Sequence, residues 1–230
     1  MQGFDIVEVK EDVIRRNDDT AISLRARLAQ KTVYFVNVMA SPGSGKTTLL
    51  LSILPILAKK YRIGVLEADI DSAVDAETIS RKLGVKTLQI HTGGACHLTA
   101  QMVEDALQNF DIDGLDLIIL ENIGNLVCPA EFDTGANMNL VLLSVPEGDD
   151  KPLKYPLMFE VANMVAVTKL DTLEVFDFDF DAFERGVKKR NENAEIFRVC
   201  ALTGEGVEEL ASALDKKIAS YRAKLTCWSD

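Results

Sequence analysis

Short runs rich in branched aliphatics recur along the chain at Val33–Met39, Ile63–Glu67, Val85–Ile90, Leu115–Leu120, Leu140–Val145, Met164–Val167 and Ile196–Val199. Nearly uninterrupted apolar runs of this length, such as Leu115–Leu120, are strands buried on both faces, the habit of a parallel sheet. Between them, apolar residues recur at helical spacing. The predicted helices cover Thr47–Lys60, Asp75–Lys82, a stretch from Cys96 or His97 to Asn109, a short turn ending near Ala162, Asp179–Asn191, and a terminal helix to about Lys224. Pro55 predicts a kink near the end of the first, because its ring removes a backbone donor. Gly84 closes the second. Two stretches, Ile123–Asn137 and Glu147–Pro156, carry neither period and read as irregular. Strands alternating with helices predict an α/β fold with a mostly parallel sheet and helices on both faces. Ahead of the first strand, Ile14, Ala21, Leu24, Leu28 and Ala29 mark an amphipathic helix that leans on the domain or on a partner. The expected organisation is that helix, residues 1–32, followed by a single domain over 33–230.

Ligands of such sheets bind at the carboxyl ends of the strands. The first strand runs into Ala40-Ser41-Pro42-Gly43-Ser44-Gly45-Lys46-Thr47-Thr48. Strand, glycine-rich loop and helix in this order make the phosphate-binding loop of a P-loop NTPase. Gly43 and Gly45 let the backbone curl so that successive N–H groups face phosphate oxygens. The following helix adds its positive end. Lys46 supplies a point charge for the β- and γ-phosphates, and the Thr47 hydroxyl is the expected Mg²⁺ ligand. Gly43, Ser44, Gly45, Lys46, Thr47 and Thr48 are therefore the expected phosphate-site residues. Ala40 stands where the usual pattern has its first glycine.

Carboxylates follow two further strands. Glu121 closes Leu115–Leu120, where such proteins place the acid that holds Mg²⁺ or its waters. Asp69, Asp75 and Asp71, in that order of preference, are candidates to ligate Mg²⁺ or orient the attacking water. Lys46, Asp69 and Glu121 are the catalytic candidates. Thr168-Lys169-Leu170-Asp171 resembles the guanine-reading Asn-Lys-x-Asp motif of GTPases. A carboxylate at Asp171 accepts from guanine N1–H and the 2-amino group, whereas adenine offers no such pair and would leave the acceptor unsatisfied. Ala201-Leu202-Thr203-Gly204 resembles the backbone loop that meets guanine O6. The two motifs in this order favour GTP over ATP. No Ras-like glutamine follows Glu121, so hydrolysis is expected to be slow until a partner or a second copy completes the site.

Composition narrows the partners. A formal net charge of -11 argues against a nucleic-acid surface, which wants basic clusters. No apolar run reaches bilayer-spanning length and no leader pattern precedes the first strand, so a cytoplasmic protein with reduced thiols is expected. The four cysteines are too scattered for a disulfide scaffold. Cys96-His97, placed at the start of a helix whose dipole favours thiolate, and Cys128, in the loop after the Glu121 strand, flank neighbouring strand ends. Thiolate and imidazole suit Zn²⁺ or Ni²⁺, and a two-fold dimer would pool two such sets. Plain burial is the competing reading of these cysteines. His91 reads as a loop or core histidine, Cys200 as core, and Cys227 beside Trp228 has no partner by sequence.

Several segments together resemble the HypB family, the GTPases of [NiFe]-hydrogenase maturation, over roughly Asn17 to Ile218. They are MASPGSGKTTLL, Asp75-Ala76-Glu77, HTGGACHLTAQMV, ENIGNLVCPAEFDTG, EGDDKPLKYP and LTGEG. The resemblance implies GTP and GDP as ligands, a slow GTPase that delivers nickel to the hydrogenase large subunit with other maturation proteins, and a nucleotide-dependent homodimer. It implies a Ni/Zn site formed by Cys96, His97 and Cys128 at the dimer interface. Many members carry an N-terminal cysteine motif or a histidine-rich stretch. Here there are two histidines and no cysteine before Cys96, which disfavours a storage role. Thr99 and Thr168 stand where the family often has Asp and Asn.

Overall fold

The structure is a computed structural model and describes residues 9–70 and 74–226. Asp71, Cys227 and Trp228 lie outside the described residues. A long helix α1 (Val9–Gln30) leads into β1 (Tyr34–Ala40), α2 (Lys46–Leu57), β2 (Ile63–Asp69), α3 (Val74–Leu83), β3 (Lys86–His91), α4 (Ala100–Gln108) and β4 (Leu117–Glu121). There follow a single turn α5 (Cys128–Glu131), β5 (Met138–Ser144), two short helices α6 (Lys151–Lys154) and α7 (Pro156–Glu160), β6 (Met164–Thr168), α8 (Phe180–Arg190), β7 (Glu195–Arg198) and α9 (Val207–Thr226). The strands form one sheet of seven in the order β3-β2-β4-β1-β5-β6-β7, with every pairing parallel.

The central strand shows why the runs are apolar throughout. All seven residues of β1 are buried. Tyr34, Val36, Val38 and Ala40 face a layer made by α2 (Leu50, Ile53, Leu54) and α9 (Leu210, Leu214, Ile218). Phe35 faces the other layer, with Leu24 and Leu28 of α1 and Val103 and Leu107 of α4. Met39 continues that side against Met158 and Phe159 of α7 and Phe183 and Val187 of α8. Truncating a fully buried leucine in either layer costs about 2–5 kcal/mol. On α1 the buried positions are Asn17, Ala21, Leu24 and Leu28, a stripe at helical spacing that includes one polar residue.

Element order agrees with the sequence expectation, and the differences have local causes. Helix α4 starts at Ala100, not at Cys96 or His97. Thr99 is its N-cap, in extended conformation, with its hydroxyl accepting from Met102 N–H at 3.3 Å. Gly93 and Gly94 hold positive φ just before, so Cys96-His97 sits in a turn and gains nothing from a helix end. Strands β2 and β4 each run on to their terminal acid, Asp69 and Glu121. Pro55 lies in the last turn of α2, which ends at Leu57. No helix among the described residues is long and apolar enough to cross a membrane.

Candidate functional site

At the carboxyl end of β1 the chain turns through Gly43 (φ 74) and Gly45 (φ 94), both in the left-handed region that a side chain would strain. Gly45 caps α2 without any side-chain hydrogen bond, so the first N–H groups of the helix are left for a ligand. Lys46 and Thr47 form the first turn. Ala40 is still a strand residue, paired with Leu142, and its methyl is packed in the α2–α9 layer. That accounts for a residue with a Cβ where the usual pattern has glycine. The loop is braced from two sides: Ser41 donates to Glu147, and Thr168 donates from Oγ1 to the Ser44 carbonyl at 2.7 Å. Ser44 is buried, and its hydroxyl has no hydrogen-bond partner among the described residues. Thr48 is exposed on the helix flank.

The Thr47 hydroxyl donates to Glu121 Oε1 at 2.7 Å. That bond leaves the oxygen's lone pairs free for a cation. Glu121 is 2% exposed, and its Oε2 has no partner among the described residues. Burial pushes its carboxyl up to about 7, opposed by Thr47 and Lys46. Directly across the ladder stands Glu67 on β2, 3% exposed, also with an unpartnered Oε2. Burial and the adjacent Glu121 push it up to about 8. Asp69, half-buried at the end of β2, and Asp75, exposed in the first turn of α3, add negative charge to both. Two buried carboxyls with orphaned oxygens beside a hydroxyl whose lone pairs are open fit a hard divalent cation such as Mg²⁺. Glu67 was not among the sequence-derived candidates. The signal for it was period two: Glu67 and Asp69 share a face of β2.

At the end of β6, Lys169 adopts φ 59 and ψ 45, a left-handed conformation uncommon outside glycine and typical of functional sites. Its Cε lies 3.9 Å from where a Cβ on Gly45 would stand, so the stem runs along the phosphate loop. Asp171 is exposed in the next turn, and its Oδ1 accepts from the Cys200 thiol at 3.1 Å. Cys200 is thus more than core: it is buried and holds this carboxylate. Ala201 and Leu202 follow in the adjacent turn, with the Ala201 carbonyl accepting from Ser52 of α2 at 3.5 Å. Thr168 departs from its expected use. Its hydroxyl proton is committed to Ser44, so it joins the base-side turn to the phosphate loop and has no donor left for a base.

The third group lies beyond β3 and β4. The neighbouring Cys96 thiol, then burial, raises the Cys128 pKa, so the two thiols face one another. His97 Nδ1 is 3.8 Å from Cys96 Sγ. The His97 ring stacks on Phe132, with centroids 4.0 Å apart and planes at 11°. Burial lowers the His97 pKa, which favours the neutral, ligating form, against the opposing charge of Glu131. The three residues expected to share a metal are therefore neighbours in pairs. Among the described residues no three His, Cys, Asp or Glu side chains converge closely enough to hold an ion. His91 is exposed at the end of β3, paired with Asp69 in the ladder.

One segment joins the phosphate loop to this group. After Glu121 the chain passes over the loop so closely that a Cβ on Gly124 would meet the Pro42 backbone at 2.9 Å. Asn125 N–H donates to the Ala40 carbonyl at 2.8 Å. Its side-chain oxygen accepts from Val127 N–H at 2.8 Å and from Cys128 N–H at 3.4 Å. Asn122 is buried, donating to Asn37 and accepting from Ile123 N–H.

Residues 34–198 match the family model "CobW/HypB/UreG, nucleotide-binding domain". The chain belongs to the CobW/HypB/UreG family of nucleotide-binding proteins. It is 40% identical over 222 residues to the Helicobacter pylori hydrogenase/urease maturation factor HypB, covering 94% of this chain and 90% of that one. It is 40% identical over 210 residues to Escherichia coli K12 hydrogenase maturation factor HypB, covering 91% and 72%. The crystal structure of H. pylori HypB in complex with nickel superposes with a TM-score of 0.84 over 89% of this chain and 96% of that one. Archaeoglobus fulgidus HypB, 34% identical, gives 0.81 over 89% and 99%.

Proposed function

We propose that this protein is a GTP-binding, slowly hydrolysing nickel metallochaperone of hydrogenase maturation, working in the cytoplasm as a nucleotide-dependent homodimer. The carrying observation is the segment after β4, in which one residue, Asn125, is bonded both to Ala40, the strand residue that enters the phosphate loop, and to the Cys128 turn. The nickel complex of a 40% identical relative supports the cargo.

In this reading the N–H groups around Gly43–Thr48 and the Lys46 ammonium hold the β- and γ-phosphates and take up charge that builds as the γ-phosphate leaves. Thr47 would ligate Mg²⁺, with Asp69 and Glu121 on the ion or its waters and Asp75 at the edge of that group, and the ion would supply charge neutralisation at the phosphate oxygens. Asp171 accepts from guanine, Lys169 lies along the base, and Ala201–Leu202 offer backbone N–H to its O6. Asn122 being bonded to Asn37 and Ile123, and no glutamine following Glu121 in the sequence, water is poorly oriented in one copy, and turnover is slow until a second copy or another partner closes the site. Cys96, His97 and Cys128 carry Ni²⁺ or Zn²⁺ as cargo, and a second copy supplies the ligands that one copy leaves missing. The receiving partners are maturation proteins and the hydrogenase large subunit.

Titrating Ni²⁺ and Zn²⁺ into the nucleotide-free, GDP and non-hydrolysable-GTP forms, with mass measured alongside, tests this. Metal stoichiometry and dimer fraction are expected to change with nucleotide. Identical metal affinity and mass in all three forms refute the switch, and a preference for ATP over GTP refutes the guanine assignment.

A further inference from the structure

Helix α1 carries one polar residue, Asn17, in its otherwise apolar buried stripe, and it is 7% exposed. A buried amide is costly unless both its ends are bonded. Here both ends are used. Nδ2 donates to the Asp133 carbonyl at 2.8 Å, and Oδ1 accepts from Ala100 N–H at 2.8 Å. Ala100 is three residues beyond His97 and opens α4. Asp133 directly follows Phe132, the residue stacked on His97, and lies five residues beyond Cys128. A single side chain therefore spans the two backbone segments that carry the thiols and the imidazole.

We infer that Asn17 is the positioning residue that sets the distance between the Cys96–His97 turn and the Cys128 turn. The inference rests on the metal reading above only for its consequence, since the bridge itself is independent of any ion. The rest of α1 is docked by other contacts. Arg25 pairs with both carboxylate oxygens of Asp133 at 2.8 and 2.7 Å, Arg27 pairs with Glu104 at 2.9 Å, and Leu24 fills the space beside Gly135. The helix is thus expected to stay in place when Asn17 is changed, and the loss falls on the junction between the two turns. Partners that orient metal ligands commonly matter about 10–100-fold in metal affinity.

The test uses the full chain with Asn17→Ala, which removes both bonds, and Asn17→Asp, which keeps the acceptor for Ala100 N–H and loses the donor to Asp133. Two measurements are made on metal-free protein in glutathione redox buffer. The first is the equilibrium in which the Cys96 and Cys128 thiols give two electrons and two protons to glutathione disulfide, forming one protein disulfide and two glutathiones. The second is thermal stability. Ni²⁺ affinity by chelator competition and GDP affinity follow on reduced protein. Both variants are expected to lower the thiol-pairing constant and Ni²⁺ affinity about tenfold or more, with GDP affinity unchanged and Asn17→Asp melting closer to the unaltered protein than Asn17→Ala. A thiol-pairing constant in folded Asn17→Asp equal to that of the unaltered protein overturns the inference. If the unaltered protein and Cys128→Ser bind Ni²⁺ equally, the metal reading fails, while the thiol equilibrium still decides the role of Asn17.

Discussion

The amide nitrogen of Asn125 donates to the carbonyl of Ala40 at 2.8 Å, fixing the segment after β4 to the last residue before the phosphate loop. The same residue's side chain caps the turn that holds Cys128. In the proposed switch, a shift of the loop on binding phosphate would reach the thiol through this one residue and the crowded Gly124–Pro42 contact. Asn125→Ala keeps the backbone bond and loses the cap, at about 1 kcal/mol in stability. The Ni²⁺ affinities of the GDP and GTP-analogue forms are expected to converge while each nucleotide still binds. Chelator competition in the two forms measures this, and an unchanged affinity ratio would remove Asn125 from the coupling path.

Cys128→Ser replaces the thiol beside Cys96 by a poorer ligand for soft and borderline metals. Ni²⁺ or Zn²⁺ affinity should fall by at least tenfold, with GDP affinity of the metal-free monomer unchanged, because the Cys128 thiol is not one of the groups assigned to the nucleotide. Isothermal titration with metal and then with GDP separates the two. Retained metal stoichiometry would count against a shared site.

On the base side, Asp171→Asn exchanges an acceptor for a donor, and selectivity should move from GTP towards XTP. Cys200→Ala removes the thiol at 3.1 Å from Asp171 Oδ1 and leaves the carboxylate less fixed. Its cost is expected to be about fivefold in GTP affinity, the size of one modest hydrogen bond, and Cys200→Ser should recover much of it. Competition binding with GTP, XTP and ATP provides the comparison. Selectivity unaltered in Asp171→Asn contradicts the guanine assignment.

The order of elements was readable because parallel strands buried on both faces are dense in aliphatics, and β1 and β4 show little else. The phosphate loop was readable because Gly43 and Gly45 occupy conformations that few other residues accept. Thr168 and Cys200 were not: their roles depend on partners 124 and 29 residues away, Ser44 and Asp171, which no local pattern encodes. Helix α4 was drawn too long because apolar spacing continues through Leu98, whereas the cap at Thr99 and the positive φ of Gly93 and Gly94 decide where it begins. Asn17 hid for the opposite reason. A polar residue inside an apolar stripe reads as noise until both of its bonds are seen.

Glu67 and Glu121 make stability and cation binding depend on pH. Both are raised above the ordinary glutamate value, to about 8 and about 7, with burial the first cause in each. The neighbouring charges are Asp69 and Asp75, which raise both, and Lys46, which lowers Glu121. A carboxyl with a raised folded-state pKa binds its proton more tightly in the native state than in the unfolded chain. The associated stability is fully present below the unfolded value and is lost as pH rises through the folded one. The ion-free protein should therefore lose stability between about pH 5 and pH 8, by an amount on the order of a few kcal/mol. Mg²⁺ with GDP supplies the opposing charge, so its affinity should rise across the same window with release of protons. Glu67→Gln removes the outer member of the pair. It should flatten the pH dependence of melting, since the member of the pair pushed furthest, up to about 8, is gone. Melting curves from pH 5 to 9 with and without Mg²⁺ and GDP read both effects. If Glu67→Gln keeps the slope of the unaltered protein, Glu67 is not a source of the pH dependence, and its raised titration is contradicted.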